Sequence, residues 1–138
     1  LLAGAQEREV AALRAYALAY GRAFQMQDDY LDLLGSAERL GKPVGGDLRE
    51  GKATYPVLVL ILEHGLAEAR AILERRAGRP GDVERMVALI LENGAHHLAR
   101  ERIAEEAESA LRALEVFGPS PALNALRGLA ESETLRVG

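Results

Sequence analysis

The chain has 138 residues, enough for one compact domain or part of a larger one. Hydrophobic residues make up 49% and aromatics only 4%, with Leu and Ala dominant, a composition that favours helix packed on helix. The net charge of −4, with acids and bases interspersed, gives no support to a nucleic-acid partner, and the absence of cysteine excludes disulfides and thiolate metal sites.

The first residues, Leu1-Leu2-Ala3-Gly4, lack the basic segment of a secretion signal and lack an initiator Met, so the chain is expected to begin inside a longer protein. The first helix is predicted from about Glu7 to Leu34. Tyr16, Tyr20 and Phe24 recur every fourth residue along it and form an aromatic stripe suited to a core-facing side. Gly35 ends it. A loop follows from Ser36 to about Gly51, rich in glycine and holding Pro43, where backbone can approach a ligand closely.

A second helix opens with Thr54 as cap and Pro56 in its first turn. The run Pro56 to Leu62 is apolar on all sides, which predicts a central, buried helix, and is far too short to span a bilayer. Gly65 closes it. Further helices are predicted at about 66–77, from a cap at Asp82 to about Asn93, and over 95–117. The last of these carries Leu98, Ile103, Ala107, Leu111 and Leu114 on its buried face. Gly118-Pro119 breaks the pattern. Ser120-Pro121 then caps and starts a final helix, and the tail after Glu131 carries no strong signal.

The informative cluster is Gln25, Asp28, Asp29 and Asp32. At 100° per residue these fall within an arc of roughly 100° on one helix face. Asp is a poor residue for a helix interior, and the like charges of Asp28 and Asp32 at i, i+4 cost about 0.2–0.5 kcal/mol. No Lys or Arg stands three or four residues away to offset them. A hard divalent cation would. Mg²⁺ prefers carboxylate oxygens, keeps several waters and shares its shell with substrate phosphates. The plainer reading is a solvated acidic face.

The loop supplies the opposite charge. Lys42 and Lys52 are the only lysines among seventeen basic residues, and both lie in it beside Arg49. Lysine acts on phosphate as a compact point charge, which arginine does not replace. Asp47, after Gly45-Gly46, is a further carboxylate for the ion or its waters. The combined expectation is a diphosphate held between metal ligands on the helix and ammonium groups on the loop. His64, His96 and His97 offer a second metal story. Neighbouring helical histidines point about 100° apart and make a poor chelate, so surface or packing roles are expected.

From Phe24 to Pro56 the sequence reads F-Q-M-Q-D-D-Y-L-D-L-L-G and then L-G-K-P-V-G-G-D-L-R-E-G-K-A-T-Y-P. This resembles the second aspartate-rich region of the all-trans isoprenyl diphosphate synthases, or polyprenyl synthetases, with weaker similarity along the rest of the chain. The resemblance implies an all-α helical bundle of the isoprenoid synthase type, with residues 1–138 forming its C-terminal part. It implies Mg²⁺-dependent head-to-tail condensation of isopentenyl diphosphate with an allylic diphosphate, releasing pyrophosphate.

Asp28 would then be the principal Mg²⁺ ligand, and Asp29 and Asp32 would bind the ion's waters or orient neighbouring groups. Gln25 would lie near the allylic carbon or its diphosphate. Lys42 and Lys52 would hold diphosphate oxygens, and Asp47 would support the metal shell. The aromatic stripe would line or back the hydrophobic tunnel. A cytoplasmic homodimer is implied. The family's first aspartate-rich motif does not occur in these residues, so the chain alone is expected to be inactive. A terpenoid cyclase-type enzyme and a non-catalytic partner subunit are the competing readings.

Overall fold

The structure is a computed structural model that describes residues 4–36, 41 and 43–135. Among these residues there is no strand. The helices are α1 (Glu7–Leu34), the single-turn α2 (Gly46–Arg49), α3 (Tyr55–His64), α4 (Ala67–Glu74), α5 (Asp82–Glu92), α6 (Ala95–Ala113) and α7 (Pro121–Leu135). No helix is long and apolar enough to cross a membrane among the described residues. The chain divides into two compact units, Leu1–Gln25 with Glu101–Gly138, and Met26–Arg100.

The first unit is built on Tyr16, Ala19, Ala110, Leu114, Leu123 and Ala130, with Tyr20, Leu111, Phe117 and Leu126 packed against them. Tyr16 is buried, and its hydroxyl donates to the Leu126 carbonyl at 2.8 Å, so the polar tip of a core residue is satisfied. Tyr20 stacks on Tyr16 with ring centroids 5.8 Å apart. Phe24, at the end of the predicted stripe, is 41% exposed, so the stripe is core at one end only.

The α6 face also differs in detail from the expectation. Leu98 is exposed, and the buried positions are Ala95, Ala99, Ile103, Ala107, Ala110 and Leu114. Ser120 does cap α7: its Oγ accepts the Leu123 N–H at 3.0 Å. That helix runs on to Leu135, beyond the predicted loss of signal.

The second unit holds its own core of Leu33, Leu48, Val57, Leu60, Ile72, Val83, Met86 and Ile90. Helices α3, α4 and α5 pack on one another around it. The prediction that α3 is buried on all sides is corrected: Val57, Val59 and Leu60 are buried, but Leu62 is 76% exposed and Leu58 is exposed too. Helix α4 stops at Glu74, earlier than predicted, because Arg76 and Ala77 adopt left-handed φ values of 54° and 49°. The start of α5 is corrected as well. Gly81 is its cap, with φ 85°, and Asp82 is the first helical residue. The Asp82 carboxylate reaches back instead, accepting from Arg75 Nε and Nη2 at 2.8 and 2.7 Å and from the Arg79 N–H at 3.0 Å.

Candidate active site

The C-terminal turns of α1 carry the acidic arc, and the three aspartates part ways there. Asp28 and Asp29 are half-buried, whereas Asp32 is only 1% exposed. A carboxylate so enclosed needs donors, and the glycine-rich loop provides them. Asp32 Oδ2 accepts the Asp47 N–H at 3.2 Å, and the Asp32 main-chain carbonyl accepts the Gly45 N–H at 2.8 Å. A Cβ on Gly46 would stand 3.6 Å from Asp32 Oδ1, so this glycine lies directly against the carboxylate.

Asp29 holds the other end of the same stretch. Its Oδ2 accepts the N–H of Tyr55, the first residue of α3, at 3.1 Å. Thr54 occupies the cap position predicted for it, yet its hydroxyl makes no cap hydrogen bond and is buried with no partner among the described residues. The side-chain cap of α3 therefore comes from α1, twenty-six residues upstream. A negative group at a helix N-terminus is favoured both by the orphan N–H groups and by the helix dipole.

Between these two anchors lie Asp47, Arg49, Glu50 and Lys52. The Lys52 N–H donates to the Asp47 carbonyl at 2.9 Å, which fixes the backbone at the lysine. Its ammonium sits 2.6 Å from Glu50 Oε2 and 3.7 Å from Asp47 Oδ1, and is 63% exposed. The hydrogen bond to Glu50 first, then the charges of Glu50 and Asp47, hold the Lys52 pKa above its ordinary value, so it is cationic throughout the physiological range. Arg49 donates from Nη1 to the Val44 carbonyl at 2.7 Å and braces the loop.

The structure thus links Asp32, Asp47 and Lys52 to one another, and bonds Asp29 to Tyr55 a few residues further on. Gln25 is exposed on the portion of α1 that belongs to the first unit. Lys42 lies outside the described residues. Two residues were not singled out from sequence. Glu50 contacts Lys52, and its place two residues before the lysine was the available signal. Gln27 is fully buried, its amide without a partner among the described residues, and its spacing from Ala23 and Tyr30 marked it for the buried face.

Among the described residues, no group of three or more His, Cys, Asp or Glu side chains is arranged to hold a metal ion by itself. The donor set still suits Mg²⁺, which takes one or two carboxylates and completes its shell with water and phosphate oxygens. Asp28 is half-buried, and Asp47 is partly exposed with its Oδ1 3.7 Å from the Lys52 ammonium. The His96 and His97 rings lie 3.9 Å apart, closer than their helical positions suggested, and His96 Nδ1 is 3.4 Å from the Ile90 carbonyl. They form no metal cluster with a third ligand among the described residues.

Among the described residues the scaffold is all-helical, and its aspartate-bearing helix end is tied by hydrogen bonds to the segment that holds Asp47 and Lys52. The polyprenyl synthetase family profile matches residues 1–90, and the chain belongs to that family. It is 40% identical over 134 residues to the octaprenyl diphosphate synthase of Escherichia coli, covering 94% of this chain and 41% of that protein. It is 39% identical over 119 residues to the all-trans-nonaprenyl-diphosphate synthase of Rhodobacter capsulatus, covering 85% of this chain and 36% of that one. A polyprenyl synthase from Caulobacter crescentus, solved with calcium and isoprenyl diphosphate, superposes with a TM-score of 0.83 at 37% identity. That match covers 99% of this chain and 42% of the solved one. The chain spans about two-fifths of the length of these relatives.

Proposed function

We propose that the protein carrying this chain is a trans-prenyltransferase that joins isopentenyl diphosphate to an allylic diphosphate, releasing pyrophosphate. One observation carries the reading: the D-D-x-x-D turn is hydrogen-bonded at both ends to the loop bearing G-G-D and G-K, through Asp32 to Asp47 and Asp29 to Tyr55. A solvated acidic face has no reason to be tied to the chain's lysine-bearing loop.

In this reading Asp28 is the direct ligand of Mg²⁺, Asp47 supports the metal shell, and Asp29 and Asp32 orient the neighbouring groups they hydrogen-bond. Bound there, Mg²⁺ would neutralise the diphosphate leaving group. Lys52, and Lys42 from the same loop, add fixed positive charge to diphosphate oxygens, and Gln25 orients the allylic end. Charge that develops on the leaving group meets cations already in place, which is where such a site gains most. Isopentenyl and allylic diphosphates are the substrates, and a homodimer is the assembly.

The test is incubation of the full-length protein with isopentenyl and farnesyl diphosphates and Mg²⁺, followed by chain-length analysis. Elongated product that drops at least about a hundredfold in Asp28→Ala supports the reading. No elongation, or a rate unchanged by Asp28→Ala, rejects it.

A further inference from the structure

We infer that Arg76, which lies outside both the aspartate motif and the glycine-rich loop, is a positioning residue for Lys52: its side chain lies across Gly51 and holds the main chain from which the lysine projects. The inference rests on the proposed reaction for what Lys52 binds, but not for how Lys52 is seated.

Helix α4 ends at Glu74, and Arg75 caps it with φ −88°. A helix that ends in the left-handed region usually has glycine at the next position, because a Cβ is disfavoured there. This chain has arginine, at φ 54°, and then alanine, at φ 49°. They are the only non-glycine residues with positive φ among the described residues. Each side chain makes a contact that glycine could not. Ala77 packs against the core of the second unit. Arg76 is exposed to solvent and reaches the loop: a Cβ added to Gly51 would stand 3.1 Å from its Nε, 3.3 Å from its Cγ and 3.4 Å from its Cδ. The arginine stem occupies the face that Gly51 leaves bare.

The turn is held firmly enough to place that stem. The Arg76 N–H donates to the Leu73 carbonyl at 2.9 Å, and the Ala77 N–H to the carbonyl of fully buried Ile72 at 3.0 Å. Arg75 is committed to Asp82 through two hydrogen bonds, so the next side chain is the one that meets the loop. Gly51 itself has φ 79° and no side chain, so its backbone is the freest point beside the lysine. Long cationic side chains lay their stems on a surface and keep the charged end in water. A lysine acts best on a bound diphosphate when its main chain need not be brought into place.

The experiment is amide hydrogen exchange on the full-length protein, with thermal unfolding and calorimetric titration by Mg²⁺ and pyrophosphate. Arg76→Gly removes the stem and relieves the positive φ. It should keep the unfolding midpoint at or above the parent's, yet speed exchange at Gly51 and Lys52 about fivefold and weaken pyrophosphate by a similar factor, as expected for loss of several close atomic contacts. A merely structural residue would move the midpoint and the binding together. Arg76→Met keeps a stem without the charge and should stay within about twofold of the parent in exchange and affinity. Ala77→Gly relieves the neighbouring φ and should leave exchange at Lys52 unchanged. If Arg76→Gly does not fold, Arg76→Asn takes its place, since a short asparagine side chain also tolerates a left-handed backbone. Unchanged exchange at Gly51 and Lys52 in folded Arg76→Gly overturns the inference. So does a loss in Arg76→Met, or a loosening in Ala77→Gly, equal to that in Arg76→Gly. Faster exchange with unchanged pyrophosphate affinity would leave the seating of Lys52 standing and reject Lys52 as a diphosphate-binding residue.

Discussion

Gly45 lies so close to Val83 that a Cβ in its place would stand 2.7 Å from Cγ1 of that valine. The glycine also has φ 84° and donates its N–H to Asp32. It is wedged between α1 and α5, at the point where the cationic loop turns. Gly45→Ala must overcome both a left-handed backbone and a clash with a branched side chain. It should destabilise the protein by about 1–3 kcal/mol, read from urea denaturation, with weaker pyrophosphate binding as the loop shifts.

Acid stability should depend on Asp82. Its bidentate bond to Arg75, and then the Arg79 N–H, lower its pKa from 3.8 to about 2. A depressed carboxyl pKa stabilises the folded state above the unfolded value of 3.8, and that contribution is lost as the pH falls towards 2. Asp82→Asn should be less stable than the parent at neutral pH, and the gap should close across that acid window. A gap that stays constant down to pH 2 would contradict the assignment.

Glu50 competes with any anion for Lys52, since its carboxylate sits 2.6 Å from the ammonium. Both side chains are exposed, so the pair is weak. Glu50→Gln should tighten binding of Mg²⁺–pyrophosphate to the full-length protein, by no more than about fivefold. Weaker binding would mean that Glu50 orients Lys52 rather than shielding it.

The two cores should answer differently to small changes. Ser120→Ala removes the cap of α7 and should cost about 1 kcal/mol. Leu60→Ala empties a fully buried site in the second unit and should cost about 2–5 kcal/mol. Chemical denaturation followed by circular dichroism measures both.

Helix type and order were legible because apolar periodicity over long segments leaves little choice, as for α1 and α6. The misses have local causes. Positive φ at Arg76 and Ala77 has no glycine to announce it, so α4 seemed a turn longer on paper than it is. The α3 run reads as buried all round because hydropathy cannot tell which side of a short helix meets a core, and Leu62 is exposed. The acidic arc and the loop were each visible. Their connection was not, since a carboxylate that accepts a backbone N–H leaves no trace in residue identity. Nothing in the sequence separates Asp29 from Asp28, yet only the geometry of the first shows it capping a helix.

The double hold on the loop also bears on which sequence changes are tolerated. Gly45 and Tyr55 are both tied to fixed points on one rigid helix, so the chain between them has a set length. A residue inserted or deleted there would pull one anchor out of register, whatever its chemistry. Sequence drift in this stretch should therefore proceed by substitution alone, and a change at Asp32 should be matched by changes around Gly45 to Asp47.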